Sequence, residues 1–296
     1  MARAQNPDTA VILDSCTHTH AYLPVAHDAV GKAVEHILAH PFTDIREKGD
    51  RDIVTDTDEA VERLVRDMLS ENTPDIGFLG EETGATGNQT TYWVLDPIDG
   101  TTNFSHGLPL SAIALGLVHD VQPILGVIAL PFLGPRYWAT QGDGAYRDDV
   151  RLHVSGTTEL SKALVALSDY GSGPRARVRD LLSFALDREI TTRAQGLRRL
   201  GSAAVDLAFV ADGSFDASIT LGNRTWDTAA GVVIAHEAGA IVVDTDGSPH
   251  STLSRCAIAI APGLRDVILP ILDVARDTPY WPTPDPQTRR REEIGC

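Results

Sequence analysis

Apolar residues recur every three to four positions between residues 21 and 40, which is the period of a helix with one buried face. Pro41 then ends the pattern, because proline cannot continue a helix. A second helix is predicted after Asp56, because its apolar residues fall on one face, at Val61, Leu64, Val65 and Met68. Asp56 and Glu59 have the spacing of a capping box at its start.

Short apolar runs follow these helices and predict strands. The runs lie at residues 92–95, 110–118, 124–130 and 136–140, with turn-forming residues between them. Because they are adjacent in sequence, we expect them to pair antiparallel. Two helices packed on such a sheet predict an α+β half that covers residues 21–155.

Strands and helices alternate after residue 155. Strands are predicted at 164–167, 240–243 and 257–260, and helices at 175–186, 202–210, 225–237 and 263–275. This alternation is typical of an α/β half, here residues 156–277. Residues 1–20 are predicted to be irregular, and residues 278–296, with four prolines and three consecutive arginines, to form a flexible tail.

The chain is acidic, with 41 Asp and Glu against 25 Lys and Arg and a formal net charge of −16. This balance argues against a nucleic-acid partner, which would need a basic face. The N-terminus has no signal-peptide pattern, and no apolar run approaches the length of a membrane span. Three scattered cysteines, Cys16, Cys256 and Cys296, fit a reduced chain, so we expect a cytoplasmic protein. Cys16, His18 and His20 lack a second ligand pair at zinc-like spacing.

The most informative segment is residues 96–104, D-P-I-D-G-T-T-N-F. Asp96 and Asp99 flank a rigid proline turn that can aim two carboxylates at one point, and Mg²⁺ prefers such oxygen ligands. Gly100 allows the backbone to approach a ligand closely, and a helix that begins near Thr101 would direct free N–H groups at an anion. A plain turn stabilised by aspartate side chains is the alternative for this pair considered alone.

Three further acidic segments accompany this one. They are K-G-D-R-D-I-V-T-D-T-D at 48–58, G-E-E at 80–82 and W-D-T-A-A-G at 226–231. Each has an ordinary explanation by itself, as a solvated surface pair, as acids at a helix N-terminus or as a helix cap. Together, in this order, they indicate a metal site assembled from distant parts of the chain.

These four segments, spread over residues 48–231, resemble the signature of the inositol monophosphatase family, within the lithium-sensitive, metal-dependent phosphatases. The resemblance implies α+β and α/β halves in a layered αβαβα sandwich, as in fructose bisphosphatase. It implies two or three Mg²⁺ ions, lithium sensitivity and a homodimer. The expected reaction is hydrolysis of a small polyol, cyclitol or sugar monophosphate similar to inositol 1-phosphate, by attack of a metal-activated water.

The resemblance also implies a role for each matching residue. The metal ligands would be Glu81, Asp96, Asp99, Asp227 and the carbonyl of Ile98. Backbone N–H groups of Gly100 and Thr101, with Thr102 beside them, would hold the phosphate. Thr101, oriented by Asp58, would position the attacking water together with Glu81. Ser202 and Ala203 match a stretch that lines the substrate pocket in the family, where Asp227 also faces the substrate.

One position departs from the pattern of the inositol-type enzymes. They carry a glutamate that binds ring hydroxyls where this chain has Thr220, and Arg224 lies close by in sequence. Threonine cannot accept two hydroxyl hydrogen bonds as a carboxylate can. The pocket would then prefer a modified cyclitol, an amino-sugar phosphate or a bisphosphate. Alternatively, Thr220 only packs on a strand and Arg224 points to solvent.

Other classes of function are less consistent with the sequence. A nucleotide kinase would need a GxxxxGK[ST] loop, and a zinc hydrolase of the HExxH type would need a second histidine after His236 and Glu237; neither occurs. A non-catalytic binding module remains an alternative, although such a module should have lost ligands. Among phosphatases, the sequence leaves histidinol phosphate, fructose 1,6-bisphosphate and adenosine 3′,5′-bisphosphate open as substrates.

Overall fold

The computed structural model describes residues 19–40, 44–49, 51–171 and 176–276, apart from the side chains of residues 178 and 274–276. The predictions made for residues 1–18, including Cys16 and His18, and for residues 277–296 lie outside the described residues. The helices are α1 (Leu23–Ala39), α2 (Asp56–Asn72), α3 (Thr101–Ser105), α4 (Ala176–Thr191), α5 (Ala203–Ala211), α6 (Thr225–Glu237) and α7 (Arg265–Arg276).

The strands of the first half are β1 (Ile45–Gly49), β2 (Asp52–Thr55), β3 (Gly77–Gly80), β4 (Gly84–Thr86), β5 (Thr91–Asp99), β6 (Ala112–His119), β7 (Gln122–Ala129), β8 (Arg136–Thr140), β9 (Gly144–Arg147) and β10 (Val150–Arg151). β1 and β2 form a separate hairpin. The other eight make one sheet in the order β10-β9-β8-β7-β6-β5-β3-β4. Antiparallel pairing of β5 to β8 is confirmed, and β3 runs parallel to β5.

The second half contains β11 (Leu164–Leu167), β12 (Gly196–Arg198), β13 (Ala217–Leu221), β14 (Ile241–Val243) and β15 (Cys256–Ile260). They form a five-stranded sheet in the order β12-β11-β13-β15-β14. The first three strands are parallel and the last two join antiparallel, so the predicted α/β alternation produces a mixed sheet.

Helices and sheets stack in five layers. α1 and α2 pack on one face of the eight-stranded sheet, α5 and α6 lie between the two sheets, and α4 and α7 cover the outer face of the five-stranded sheet. Gly126 of β7 lies under α6, where a Cβ atom would overlap the carbonyl oxygen of Ala230. The αβαβα sandwich expected from the resemblance is confirmed. Among the described helices, none is long and apolar enough to cross a membrane.

The start of α2 differs from the prediction and matters for the site. The capping box is formed by Thr55 and Asp58, not by Asp56 and Glu59. β2 keeps the chain extended up to Thr55, which therefore occupies the N-cap position, and the residue three positions later completes the box. Asp58 is consequently held at the first turn of a helix that packs on β5.

Candidate active site

The carboxylates of the site meet at the end of two parallel strands. β5 continues past the predicted end at residue 95 and carries Asp96 and Asp99 in its last four positions. β3 pairs with β5 so that Gly80 lies opposite Leu95, and the N–H of Glu81 donates to the Leu95 carbonyl over 3.3 Å. This parallel register places Glu81 beside Asp96.

Asp99 connects the strand to the layer of helices between the sheets. Its Oδ2 accepts from the Ser202 hydroxyl at 2.5 Å and from the Ala204 N–H at 2.6 Å, both at the start of α5. Gly100 follows with a φ of +86°, and a Cβ atom there would lie 3.0 Å from the Leu110 carbonyl oxygen. Glycine is therefore required for this strand-to-helix turn.

Within the described part of the chain, the Asp96 carboxyl is buried without a partner for one of its oxygens. It is 3% exposed, and its Oδ1 has no hydrogen-bond partner among the described residues. Burial, followed by the charges of Glu81, Asp99 and Asp227, raises the pKa of Asp96 well above its ordinary value. A buried carboxylate is costly unless a cation compensates it. Carboxylate oxygens are the ligands that a hard divalent cation prefers.

The neighbouring acids show the same uncompensated charge. Burial raises the pKa of Asp227 to about 8, with Asp99 and Glu81 adding to the shift, although the Arg224 N–H donates to its Oδ2 at 2.6 Å. Burial also raises the pKa of Asp58 and of Asp99 to about 6. The acids therefore lie close enough together to oppose one another's ionisation.

Thr101 and Asp58 form a hydrogen-bonded pair next to these acids. The Thr101 hydroxyl is 3.3 Å from Asp58 Oδ1 and 3.0 Å from the Ile98 carbonyl oxygen, and it can donate to either. Asp58 Oδ2 accepts from the N–H and the hydroxyl of Thr55. The capping box thus fixes Asp58, and Asp58 orients the Thr101 hydroxyl so that its oxygen lone pairs can accept from a water.

Two charged residues of the site were missed by the sequence interpretation. Lys48 of β1 donates to Glu81 Oε1 at 2.9 Å and to Glu82 Oε1 at 2.8 Å. Glu62 is buried and accepts from the N–H groups of Glu82 and Thr83, so it supports the loop that carries Glu81. Glu62 lies one helical turn after Asp58 on α2, and this spacing could have indicated from the sequence that it faces the site. Within the described ranges, no three His, Cys, Asp or Glu side chains are grouped closely enough to hold a metal ion as they stand.

A cleft of about 300 Å³ opens beside the carboxylates. The predicted residues among its lining are Asp99, Asp227, Ser202, Ala203 and Thr220. Residues not predicted also line it, namely Ser168, Asp169, Arg179, Asp206 and Asn223. Arg224 is outside this lining: it is exposed, and its guanidinium lies 6.0 Å from the centre of the Trp226 ring. Thr102 is likewise exposed at the first turn of α3.

Comparison with known proteins identifies the chain as a phosphoric monoester hydrolase, because the profile of the inositol monophosphatase family matches residues 19–273. The chain belongs to the inositol monophosphatase family. Enzymes of this family are generally dependent on a metal ion.

Individual relatives and solved structures agree. The chain is 38% identical to the probable inositol 1-monophosphatase ImpA of Mycobacterium tuberculosis, over 77% of this chain and 84% of that protein. It is 36% identical to inositol monophosphatase 2 of Solanum lycopersicum, over 85% of this chain and 98% of that protein. The solved IMPase of Thermotoga maritima superposes with a TM-score of 0.79 at 29% identity, covering 86% of this chain and 98% of that one.

The shifted carboxyl pKa values predict an unusual pH dependence for the metal-free protein. Aspartate has a pKa of about 4 in an unfolded chain, whereas Asp58 and Asp99 have about 6 and Asp227 about 8 in the fold. Between these values the folded state binds more protons, so the contribution of these groups to stability is present below pH 4 and is lost as the pH rises toward 8.

Thermal unfolding in EDTA across this pH range measures the effect. Asp227→Asn removes one of the titrating groups and should reduce the loss of stability above about pH 6, the range in which Asp227 titrates. Added Mg²⁺ should reduce the slope, because a bound cation favours the ionised carboxylates. A slope in EDTA that is the same in the wild type and the Asp227→Asn variant would contradict the assignment.

Proposed function

We propose that this protein hydrolyses the phosphate monoester of a small polyol, cyclitol or sugar, such as inositol 1-phosphate, with Mg²⁺ as its cofactor. The observation that carries the proposal is the uncompensated Asp96 carboxylate, surrounded by Glu81, Asp99 and Asp227 at the start of α3. The names of the relatives support a phosphorylated polyol as substrate. A non-catalytic module would have no need to retain this costly arrangement.

Two or three Mg²⁺ ions would be held by four carboxylates and one carbonyl. These ligands are Glu81, Asp96, Asp99, Asp227 and the carbonyl of Ile98. Lys48 donates to Oε1 of Glu81, so it orients the carboxylate that would take part in holding the cation. Ser202 and Ala204 donate to Oδ2 of Asp99, which fixes the orientation of this carboxylate. Bound Mg²⁺ would supply positive charge to the phosphate oxygens and to the departing oxygen of the ester.

The first turn of α3 would hold the phosphate. The N–H groups at the start of a helix have no carbonyl partner within the helix, so those of Gly100 and Thr101 can donate to phosphate oxygens, with Thr102 at the exposed edge. The Thr101 oxygen, oriented by Asp58, would accept a hydrogen bond from the attacking water, which Glu81 also positions. The water oxygen attacks phosphorus on the side opposite the leaving alcohol.

Phosphate release from a panel of esters tests the proposal. The panel contains inositol 1-phosphate, histidinol phosphate, fructose 1,6-bisphosphate, adenosine 3′,5′-bisphosphate and phenyl phosphate as a small general ester. We expect turnover with Mg²⁺ and a fall of at least about a hundredfold in EDTA, because the charge on the phosphate is then unmatched. Equal turnover with and without Mg²⁺, or none with any ester, would refute the function.

A bisphosphatase remains a candidate, since a protein named fructose-1,6-bisphosphatase/inositol-1-monophosphatase in Aquifex aeolicus is 36% identical over 67% of this chain.

We propose three further properties from the family resemblance: inhibition by lithium, a homodimer and a cytoplasmic location. Lithium is expected to lower turnover in the same phosphate-release assay. Light scattering at micromolar concentration would show twice the mass of one chain. Activity unaffected by lithium would argue against a metal site of the kind known in the family, and a monomeric mass would refute the dimer.

A further inference from the structure

The cleft extends beyond the carboxylates proposed to bind metal. One wall of the cleft is formed by α5 and the end of β13, where Asp206 and Thr220 line it. Asp206 lies one helical turn after Ser202, whose hydroxyl bonds to Asp99. With the phosphate at the start of α3, as proposed above, this wall would face the leaving alcohol of the substrate.

Buried oxygen atoms in this wall lack partners. Asp206 is 1% exposed and Thr220 is 5% exposed, and neither Oδ1 of Asp206 nor Oγ1 of Thr220 has a hydrogen-bond partner among the described residues. Oδ1 of Asn223 is also buried without a hydrogen-bond partner among the described residues. The amide of Asn223 is oriented by its Nδ2, which donates to the Arg224 carbonyl and lies 3.2 Å from the Thr228 hydroxyl. Three residues that line one cleft thus each have a buried oxygen without a hydrogen-bond partner among the described residues.

Apart from the proposed metal ligands Asp99 and Asp227, the charged residues of the cleft lining are Asp169, Asp206 and Arg179. Burial, then Asp99 and then Asp169, raises the pKa of Asp206 well above its ordinary value. The cation of the lining, Arg179, bonds through Nη1 to the carbonyl of Gly222, and it is not among the groups that shift Asp206. A carboxyl group kept in such a place fits a ligand that brings both a positive charge and hydrogen-bond donors.

We propose that this wall binds a primary ammonium group, so that the substrate is the phosphate monoester of an amino sugar or an aminocyclitol. The inference rests on the proposed phosphatase function and specifies its leaving group. An ammonium carries three N–H donors and could bond to more than one of Asp206, Thr220 and Asn223, whereas a hydroxyl in its place carries one donor. Asp206 is the specificity-determining residue, because it alone of the three has a carboxyl group, and a cation bound beside it would favour its charged form.

Ester pairs that differ in one group test the proposal. The pairs are glucosamine 6-phosphate against glucose 6-phosphate, and ethanolamine phosphate against ethylene glycol phosphate. We expect kcat/KM for the amine to exceed that for the alcohol by about tenfold or more in at least one pair, as for a charge-assisted hydrogen bond. Asp206→Asn keeps the shape but removes the charge, and it should bring this ratio close to one.

Asp212→Asn is the matched control. Asp212 follows the last residue of the same helix, bonds to Tyr137 and Arg147 and is not in the cleft lining, so its replacement should leave the ratio unchanged. If Asp206→Asn does not fold, the wild-type ratios still decide, and Thr220→Val provides a second variant in which the ratio should fall.

Three results would overturn the proposal: wild-type ratios near or below one in both pairs, a ratio unaffected by Asp206→Asn, or a clear preference for fructose 1,6-bisphosphate over every amine. Hydrolysis of phenyl phosphate with Mg²⁺ separates the two hypotheses. Activity on this ester without any preference for amines refutes the ammonium site alone, whereas the absence of activity on every ester refutes the phosphatase function.

Discussion

Replacing Asp96 with Asn should lower kcat by about a thousandfold or more while the protein stays folded, because several kcal/mol of charge stabilisation is lost at the phosphate. The substitution keeps the volume of the side chain and removes its charge. Asp96 lies buried among three other acids, so neutralising it should leave the melting temperature in EDTA equal to or above that of the wild type. Phosphate release and thermal unfolding measure the two effects.

Asp216→Asn provides the comparison for this variant. Asp216 is also a buried aspartate, but it accepts from the Ser155 hydroxyl and from the Leu164 N–H, away from the cleft. Its replacement should lower the melting temperature and leave kcat near normal, the reverse of the result for Asp96. Near-normal turnover of the Asp96→Asn enzyme at moderate Mg²⁺ would show that Asp96 does not bind the metal.

Replacing Thr101 with Ala should lower kcat by about a hundredfold and change KM much less, because a contact to the attacking water matters most in the transition state. The hydroxyl lies between Asp58 and the Ile98 carbonyl, and the substitution removes the group that would accept from the water. Steady-state kinetics with the best ester of the panel would measure both constants.

Thr101→Ser retains the hydroxyl and loses only a methyl group, so it should recover most of the turnover. Asp58→Asn preserves the shape of the capping box. Its kcat should lie between those of Thr101→Ala and Thr101→Ser, because Thr101 then loses its charged partner. A Thr101→Ala enzyme with normal kcat and a raised KM would assign Thr101 to substrate binding and leave the water to other groups.

Local features of the chain were largely determined by the sequence. The helix at residues 225–237 and the strands at 136–140 and 164–167 were predicted with their observed bounds, because the burial of one face and the flanking turns are encoded in neighbouring residues. Asp96 and Asp99 were placed correctly at the end of an apolar strand. The order of four short motifs was sufficient to identify the family. Each motif forms a local backbone geometry that depends mainly on its own residues.

Distances between remote segments were decided only by the tertiary structure. The parallel register of β3 and β5 puts Glu81 beside Asp96, and the packing of α5 between two sheets brings Asp206 to the cleft, one turn beyond Ser202. Arg224, which is close to Asp227 in sequence, lies outside the lining, and its guanidinium lies over Trp226. The periodicity of a chain specifies which faces are buried, whereas the pocket depends on which buried faces meet, and that is determined by the stacking of the layers.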